Sequence, residues 1–293
     1  MLEIRELIQQ KAEIINNTLK NISKENESVS ETLQKAMNYT LFSGGKRIRP
    51  VLTLLVCEMI SGNKKAACRA GAALEYIHSY SLIHDDLPVM DDDDLRRGKP
   101  ANHRVFGPGI AVLAGDGLLT RAFGLLAQLD LASDKIVKII RIVARAAGEQ
   151  GMVGGQVLDL EAEDKDIDLD GLIKIHNNKT GALFRAAILT GACCGEVSEE
   201  EFSALDKFAE NLGLLFQIVD DILDVTGNSE ELGKEAGSDK ERCKSTYVSI
   251  LGLEGARKEA EKTAQKAVEA LEIFGDEANE LCRLVEFVLN RKK

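Results

Sequence analysis

Apolar residues recur at spacings of three and four along almost all of this chain, the period of amphipathic helices rather than strands. Over residues 2–22, Leu2, Leu7, Ile8, Ile14, Ile15, Leu19 and Ile22 fall on one stripe. Ser30, followed by Leu33 and Gln34, opens a second helix that runs to about Phe42. Ser43 to Arg49 reads as a loop around Gly44 and Gly45, and Pro50 suits the first turn of a helix ending near Ile60. A long helix spans 64–86, Ala-rich at first and then bearing Tyr76, Ile77, Tyr80, Leu82 and Ile83. Pro88, four consecutive acids, Gly98 and Pro100 break the period and predict a functional loop to about Gly109. Further helices are predicted at 110–131, 135–163, 169–193, 198–226, 244–252, 255–273 and 276–290. Gly148, Gly151, Gly154 and Gly155 predict a kink or close packing within 135–163. With four prolines, few alternating Val/Ile/Thr runs, no repeat and no linker-like shift in composition, the expectation is one all-α domain over 1–293.

Composition narrows the function classes. The net charge of −11 disfavours nonspecific nucleic-acid binding, which needs a basic face. It leaves room for an anionic small molecule in a locally cationic site. Cys57, Cys68, Cys193, Cys194, Cys243 and Cys282 form no CxxC pair and no zinc spacing, and read as reduced thiols of a cytoplasmic protein. The N-terminus lacks the apolar core of a signal peptide, and charges are expected to interrupt the apolar stretches short of a membrane-spanning length.

Two aspartate clusters stand out against this apolar background: Asp85-Asp86 with Asp91, and Asp220-Asp221 with Asp224. Asp220 and Asp224 are one helical turn apart on one face, and Gln217 extends the same stripe. Asp85 and Asp86 end a helix, where the macrodipole disfavours negative charge. Asp91 follows Pro88, so the chain must bend for it to join them. Carboxylates beside apolar helices need a cation, and rigid oxygen donors suit Mg²⁺ that keeps some waters and grips substrate phosphates. Cations to meet such an anion are at hand: Lys46 and Arg49 in the Gly-rich loop, Arg96 and Arg97 after the acidic run, Lys179 before Thr180-Gly181, and Lys234 after Gly233. The Gly227–Lys234 stretch is one residue too long for a phosphate loop and has Glu235 where Ser or Thr belongs.

Tyr80 to Gly98, containing His84-Asp85-Asp86 and Asp91, resembles the first aspartate-rich motif of trans-isoprenyl diphosphate synthases. Gly213 to Asp224 resembles the second, and Gly44 to Pro50, Gly155 to Leu160 and Lys179 to Gly181 match further blocks in order. The resemblance implies an all-α bundle around a deep cavity, usually a homodimer. It implies that Lys46, Arg49, His78 and Arg97 hold isopentenyl diphosphate. Asp85, Asp86, Asp91, Asp220 and Asp224 would bind two or three Mg²⁺, with Mn²⁺ as an alternative. Arg96, Lys179, Thr180, Gln217 and Lys234 would face the allylic diphosphate, with Gln156, Asp159 and Asp221 supporting from behind.

The implied chemistry is ionisation of an allylic diphosphate, attack by the double bond of isopentenyl diphosphate, and loss of a proton to the released diphosphate. Product length is read from bulk near Asp85. Tyr80 lies five residues before it and Ser81 beside it is small. Tyr80, with the two extra residues Pro88 and Val89, resembles bacterial farnesyl diphosphate synthases. Rival readings are a geranylgeranyl synthase, a terpene cyclase, and a non-catalytic subunit. Intact aspartates oppose the last, and Lys46, Arg49 and Arg97 oppose the cyclase. The charged Gly233–Lys244 stretch is the natural lid candidate.

Overall fold

The predicted stripes fold into helices in the computed structural model, which describes residues 2–25, 28–163, 165–226 and 245–291. The first four are α1 (Leu2–Glu25), α2 (Glu31–Leu41), α3 (Ile48–Met59) and α4 (Lys64–Asp85). Ser30 caps α2 as expected, its side chain accepting from the Leu33 N–H. Pro88 forbids continuation of α4, which ends at Asp85. The acidic loop then makes a two-residue hairpin, Leu95–Arg96 against Lys99–Pro100, and a short α5 (Asn102–Phe106), neither of which the apolar period announces.

The second half contains α6 (Pro108–Leu126), α7 (Ser133–Ala147), α8 (Met152–Ala162), α9 (Leu169–His176), α10 (Ala182–Cys193), α11 (Glu199–Thr226), α12 (Tyr247–Glu269) and α13 (Asn279–Leu289). Two expectations change. The glycine-rich region does not kink one helix; it separates α7 from α8 at residues 148–151. The helix over 169–193 is interrupted by a π-helical turn, Asn177–Gly181. The two helices expected at 244–252 and 255–273 are the two arms of α12, which meet at a kink where Gly252 is non-helical at φ 71°.

The core is aliphatic, and the lack of Trp makes Leu, Ile, Val and Ala its filling. Ile15, Leu19 and Ile22 of α1, Leu52, Leu54 and Leu55 of α3, and Leu74 of α4 are fully buried. Each such side chain contributes about 1.5–3 kcal/mol on leaving water. α4 packs against α1, α2, α3, α6 and α10, which is why its apolar residues surround it instead of forming a stripe. α11 packs against α10, α12 and α13, so α10 touches both helices that carry aspartate clusters.

α6 departs from expectation in one further way. It carries Asp116 and Arg121, yet an 18-residue window of it, with mean hydropathy 1.4, makes it long and apolar enough to cross a membrane by length and composition. In this fold it lies along α4, with Gly115 meeting His84, whose Nε2 is 3.1 Å from the Val112 carbonyl. Val112 and Leu113 point outward.

Candidate active site

The end of α4 supplies the first cluster. The Asp86 N–H donates to the Leu82 carbonyl, and the Asp91 N–H returns to the Asp85 carbonyl at 2.9 Å. Asp91 therefore reaches Asp85 because the loop folds back over Leu87 and Pro88, not by extension of the helix. Asp92 takes φ 52° in this turn. Asp86 is buried and accepts from Arg96 Nε at 2.8 Å and from Arg96 Nη2, which also reaches Asp93 Oδ2 at 3.0 Å. Asp86, Asp93 and Arg96 thus form one ion-paired cluster beside Asp85 and Asp91. Burial pushes the Asp85 carboxyl up to about 6; Asp91 and Asp86 push the same way, while Lys179 and Arg96 oppose them.

The opposite wall is α11 and the π turn. Gly155 of α8 lies so close to the turn that a Cβ would sit 2.1 Å from the Lys179 nitrogen. Gly213 of α11 comes equally near Gly181, with a Cβ placed 3.0 Å from its Cα. Packed between these two helices, the turn presents Lys179 and Thr180 on the site side. Lys179 Nζ pairs with Asp159 at 2.7 Å. Thr180 donates to Gln217 Oε1 at 3.1 Å, and Gln217 donates to Asp220 Oδ2 at 3.2 Å. Asp224 is half-buried one turn further on. Asp221 turns away and accepts from the Tyr247 N–H at 2.7 Å, fixing the start of α12. Gln156 Nε2 is buried behind this wall and has no hydrogen-bond partner among the described residues.

Against the second wall lies a cavity of about 770 Å³. Lys46, Arg49, His78 and Arg97 line it together with Thr180, Gln217 and Asp220, so residues 174 positions apart (220 minus 46) meet in one hollow. Arg97 lies across the Gly-rich loop and donates to the Gly44 carbonyl. A Cβ at Gly45 would sit 2.7 Å from the Arg97 guanidinium, so the loop needs glycine there. Burial lowers Arg49 to about 10, which leaves it charged, and its Nε is buried without a partner. Its guanidinium stands 5.1 Å above the Phe184 ring. Burial, then the charges of Arg49, Arg97, Arg47 and Arg96, hold His78 well below its ordinary range, so it is neutral. A hollow lined by Lys46, Arg47, Arg49, Arg97 and Arg291 against Glu75 and Asp220, with an orphaned guanidinium donor on Arg49, suits a diphosphate.

Asp85 and Asp91 do not line this hollow; Asp85 stands beside it, within the field of Lys179, the neighbour of Thr180. Tyr80 is buried on α4 with its ring 5.5 Å edge-on to His84, and Ser81 donates to the His78 carbonyl. Lys234 and the Gly233–Lys244 stretch lie outside the described residues.

Three contributors escape sequence reasoning. Arg47 and Glu75, which also line the cavity, pair at 2.6 Å. Arg291, near the C-terminus, donates to Asp220 Oδ1 at 2.6 Å and to the Phe216 carbonyl at 2.8 Å, and its guanidinium stacks 3.9 Å from the Phe216 ring. No local pattern marks Arg291, since the contact closes over 71 residues.

A family model described as polyprenyl synthetase matches residues 30–284. A farnesyl diphosphate synthase of Bacillus subtilis is 44% identical over 277 residues, covering 92% of this chain and 93% of the relative. A geranylgeranyl pyrophosphate synthase of Arabidopsis thaliana is also 44% identical, over 285 residues, covering 96% of this chain and 76% of the relative. The structure of a Helicobacter pylori geranyltransferase complexed with magnesium and isoprenyl diphosphate superimposes with a TM-score of 0.85 at 35% identity, covering 98% of this chain and 96% of that one. A diphosphate-sized cationic hollow beside two carboxylate walls, on a chain matched from residue 30 to residue 284, has one consistent reading: the chain belongs to the polyprenyl synthetase family, as a trans-prenyl diphosphate synthase.

Proposed function

We propose that this prenyltransferase condenses isopentenyl diphosphate with dimethylallyl and then geranyl diphosphate to give the C15 product, (E,E)-farnesyl diphosphate. The relatives' names divide between farnesyl and geranylgeranyl products, so the assignment rests on Tyr80. Its ring is buried about one and a half turns before Asp85 on a rigid helix and is backed by His84. A chain growing from a diphosphate at Asp85 along α4 meets that ring.

Lys46, Arg49 and Arg97 hold the isopentenyl diphosphate by charge, and neutral His78 donates a hydrogen bond to it. Lys179 and Thr180 face the allylic diphosphate from the π turn. Asp85, Asp91, Asp220 and Asp224 offer oxygen donors alone, the set that Mg²⁺ prefers, and a carboxyl pushed up by burial and then by its acidic neighbours, as Asp85 is, is one that a cation relieves. Among the described residues no three His, Cys, Asp or Glu side chains form a ready-made cage. Such an arrangement leaves coordination places for water and for the substrate's phosphate oxygens. Magnesium held there supplies positive charge to the leaving diphosphate. The apolar helix faces around the walls keep water from the allylic centre, and the two fixed diphosphate positions bring the reacting carbons together.

A homodimer and a cytoplasmic location belong to the same proposal. The outward Val112 and Leu113 of α6 support the first, as an apolar face that a second copy would cover. Free thiols at Cys57, Cys68, Cys193, Cys194 and Cys282 suit the second.

Purified protein given Mg²⁺, dimethylallyl diphosphate and labelled isopentenyl diphosphate is expected to yield mainly C15, and Tyr80→Ala to shift the main product to C20. C20 from the wild type, or unchanged C15 from the variant, contradicts the role given to Tyr80. A second expectation follows from Asp85. Its carboxyl binds a cation only when ionised, so at low Mg²⁺ activity falls as pH drops through about 6. The limb moves to lower pH as Mg²⁺ rises, because ion and proton compete. The raised carboxyl also costs the metal-free fold stability as pH rises from the unfolded carboxyl's range through 6, and the cost is complete above that. Asp85→Asn is therefore expected to melt a few degrees higher than wild type at pH 7.5 without metal, while losing condensation activity. A lower melting temperature in the variant contradicts the assignment.

A further inference from the structure

Arg47 is a long, charged side chain placed almost entirely out of solvent, in a backbone conformation that non-glycine residues avoid, φ 51°. Its guanidinium spends its donors on three separate elements. Nη1 donates to Glu75 Oε1 of α4 at 2.6 Å, Nε to Asn16 Oδ1 of α1 at 3.0 Å, and Nη2 to the Leu41 carbonyl at the end of α2 at 2.6 Å. Glu75 is 2% exposed, and it sits one turn before His78 on the same helix. A buried ion pair is poor evidence of a stabilising device, since well-packed apolar replacements are often neutral or better. The placement of this pair suggests a different purpose.

Arg47 stands between Lys46 and Arg49 in the chain, and all three line the hollow with Glu75, but the donors of Arg47 are spent on protein partners. The left-handed turn at Arg47 separates the Gly-rich loop, which carries Lys46, from the first turn of α3, which carries Arg49. Whatever holds Arg47 down sets where those two cations stand. Glu75 also offsets the charge of Arg47, so that Lys46, Arg49 and Arg97 are the cations presented to an incoming anion.

We propose that Arg47 and Glu75 are positioning residues for isopentenyl diphosphate: their buried pair, with Asn16 and the Leu41 carbonyl, clamps the left-handed turn that aims Lys46 and Arg49 into the cavity. The inference rests on the functional reading above and adds two residues to it. It predicts a selective defect. The allylic diphosphate is handled from the other wall and does not depend on this turn.

The test compares wild type with the double variant Arg47→Met/Glu75→Leu and the single variant Arg47→Lys, measuring melting temperature, kcat, and KM for each substrate. The double variant removes both charges together and leaves no buried ion unpaired. It is expected to keep its melting temperature within a few degrees, raise KM for isopentenyl diphosphate by about tenfold or more, and leave the allylic KM within about twofold. Arg47→Lys keeps a charge for Glu75 but lacks the fork that also reaches Asn16 and Leu41, and is expected to show the same selective rise. If the double variant does not fold, Arg47→Lys decides. A folded variant with the wild-type KM for isopentenyl diphosphate overturns the positioning role, as does an equal rise in both KM values. If the wild type itself incorporates no isopentenyl diphosphate, the functional reading fails and this inference fails with it.

Discussion

Asp85 stands at the C-terminal end of a buried helix, beside two more carboxylates, in surroundings that raise its affinity for a proton. Burial and the macrodipole both oppose negative charge there. A protein seeking stability alone would place an amide or an apolar residue at that position. The rest of the fold is arranged around this unfavourable charge. α10 packs on both α4 and α11, the helices that carry the two clusters, and Lys179 of the second wall acts on Asp85 of the first. On the proposed function, cations that arrive with the substrates relieve this opposition, so the binding energy is realised when the diphosphate and its metal come in.

The regular helices build the core, and the irregular backbone builds the site. Arg47 and Arg97 take positive φ, the loop after Asp85 folds back on itself, and the π turn displaces Lys179 and Thr180 out of helical register. Such departures cost free energy and persist where the surrounding contacts over-determine them. Here those contacts can be named: Glu75, Asn16 and Leu41 around Arg47, Gly155 and Gly213 around the π turn, and Asp86 and Asp93 around Arg96. Arg96, held by Asp86 and Asp93, ties down the loop that carries Asp91 and the next residue, Arg97, which lies over Gly45.

Much of this was legible in the sequence because it is periodic. The apolar stripe of α1, the cap at Ser30 and the one-turn spacing of Asp220 and Asp224 each follow from local chemistry, and each appears where expected. Lys46, Arg49, His78 and Arg97 could be nominated one by one from their loops and motifs, and the structure gathers them in a single hollow. Glu75 and Arg291 were not legible. Each is an ordinary charged residue on or beside a helix, and only a partner 28 or 71 residues away gives it meaning. The π turn was hidden for a different reason: its sequence keeps the helical period, and the shift comes from two glycines on neighbouring helices. The separation of α7 from α8 and the apolar length of α6 show the limits of reading glycine as a kink and charge as an interruption.

The central claim is that the carboxylate walls are an incomplete metal site, completed by the diphosphate of the substrate. Calorimetric titration of the protein with Mg²⁺, in the absence and presence of saturating inorganic diphosphate, tests it directly. The account predicts weak Mg²⁺ binding by the protein alone and a gain in affinity of about a hundredfold when diphosphate is present, a coupling within the usual range for linked sites. Tight Mg²⁺ binding without diphosphate, or an affinity that diphosphate leaves unchanged, would contradict it.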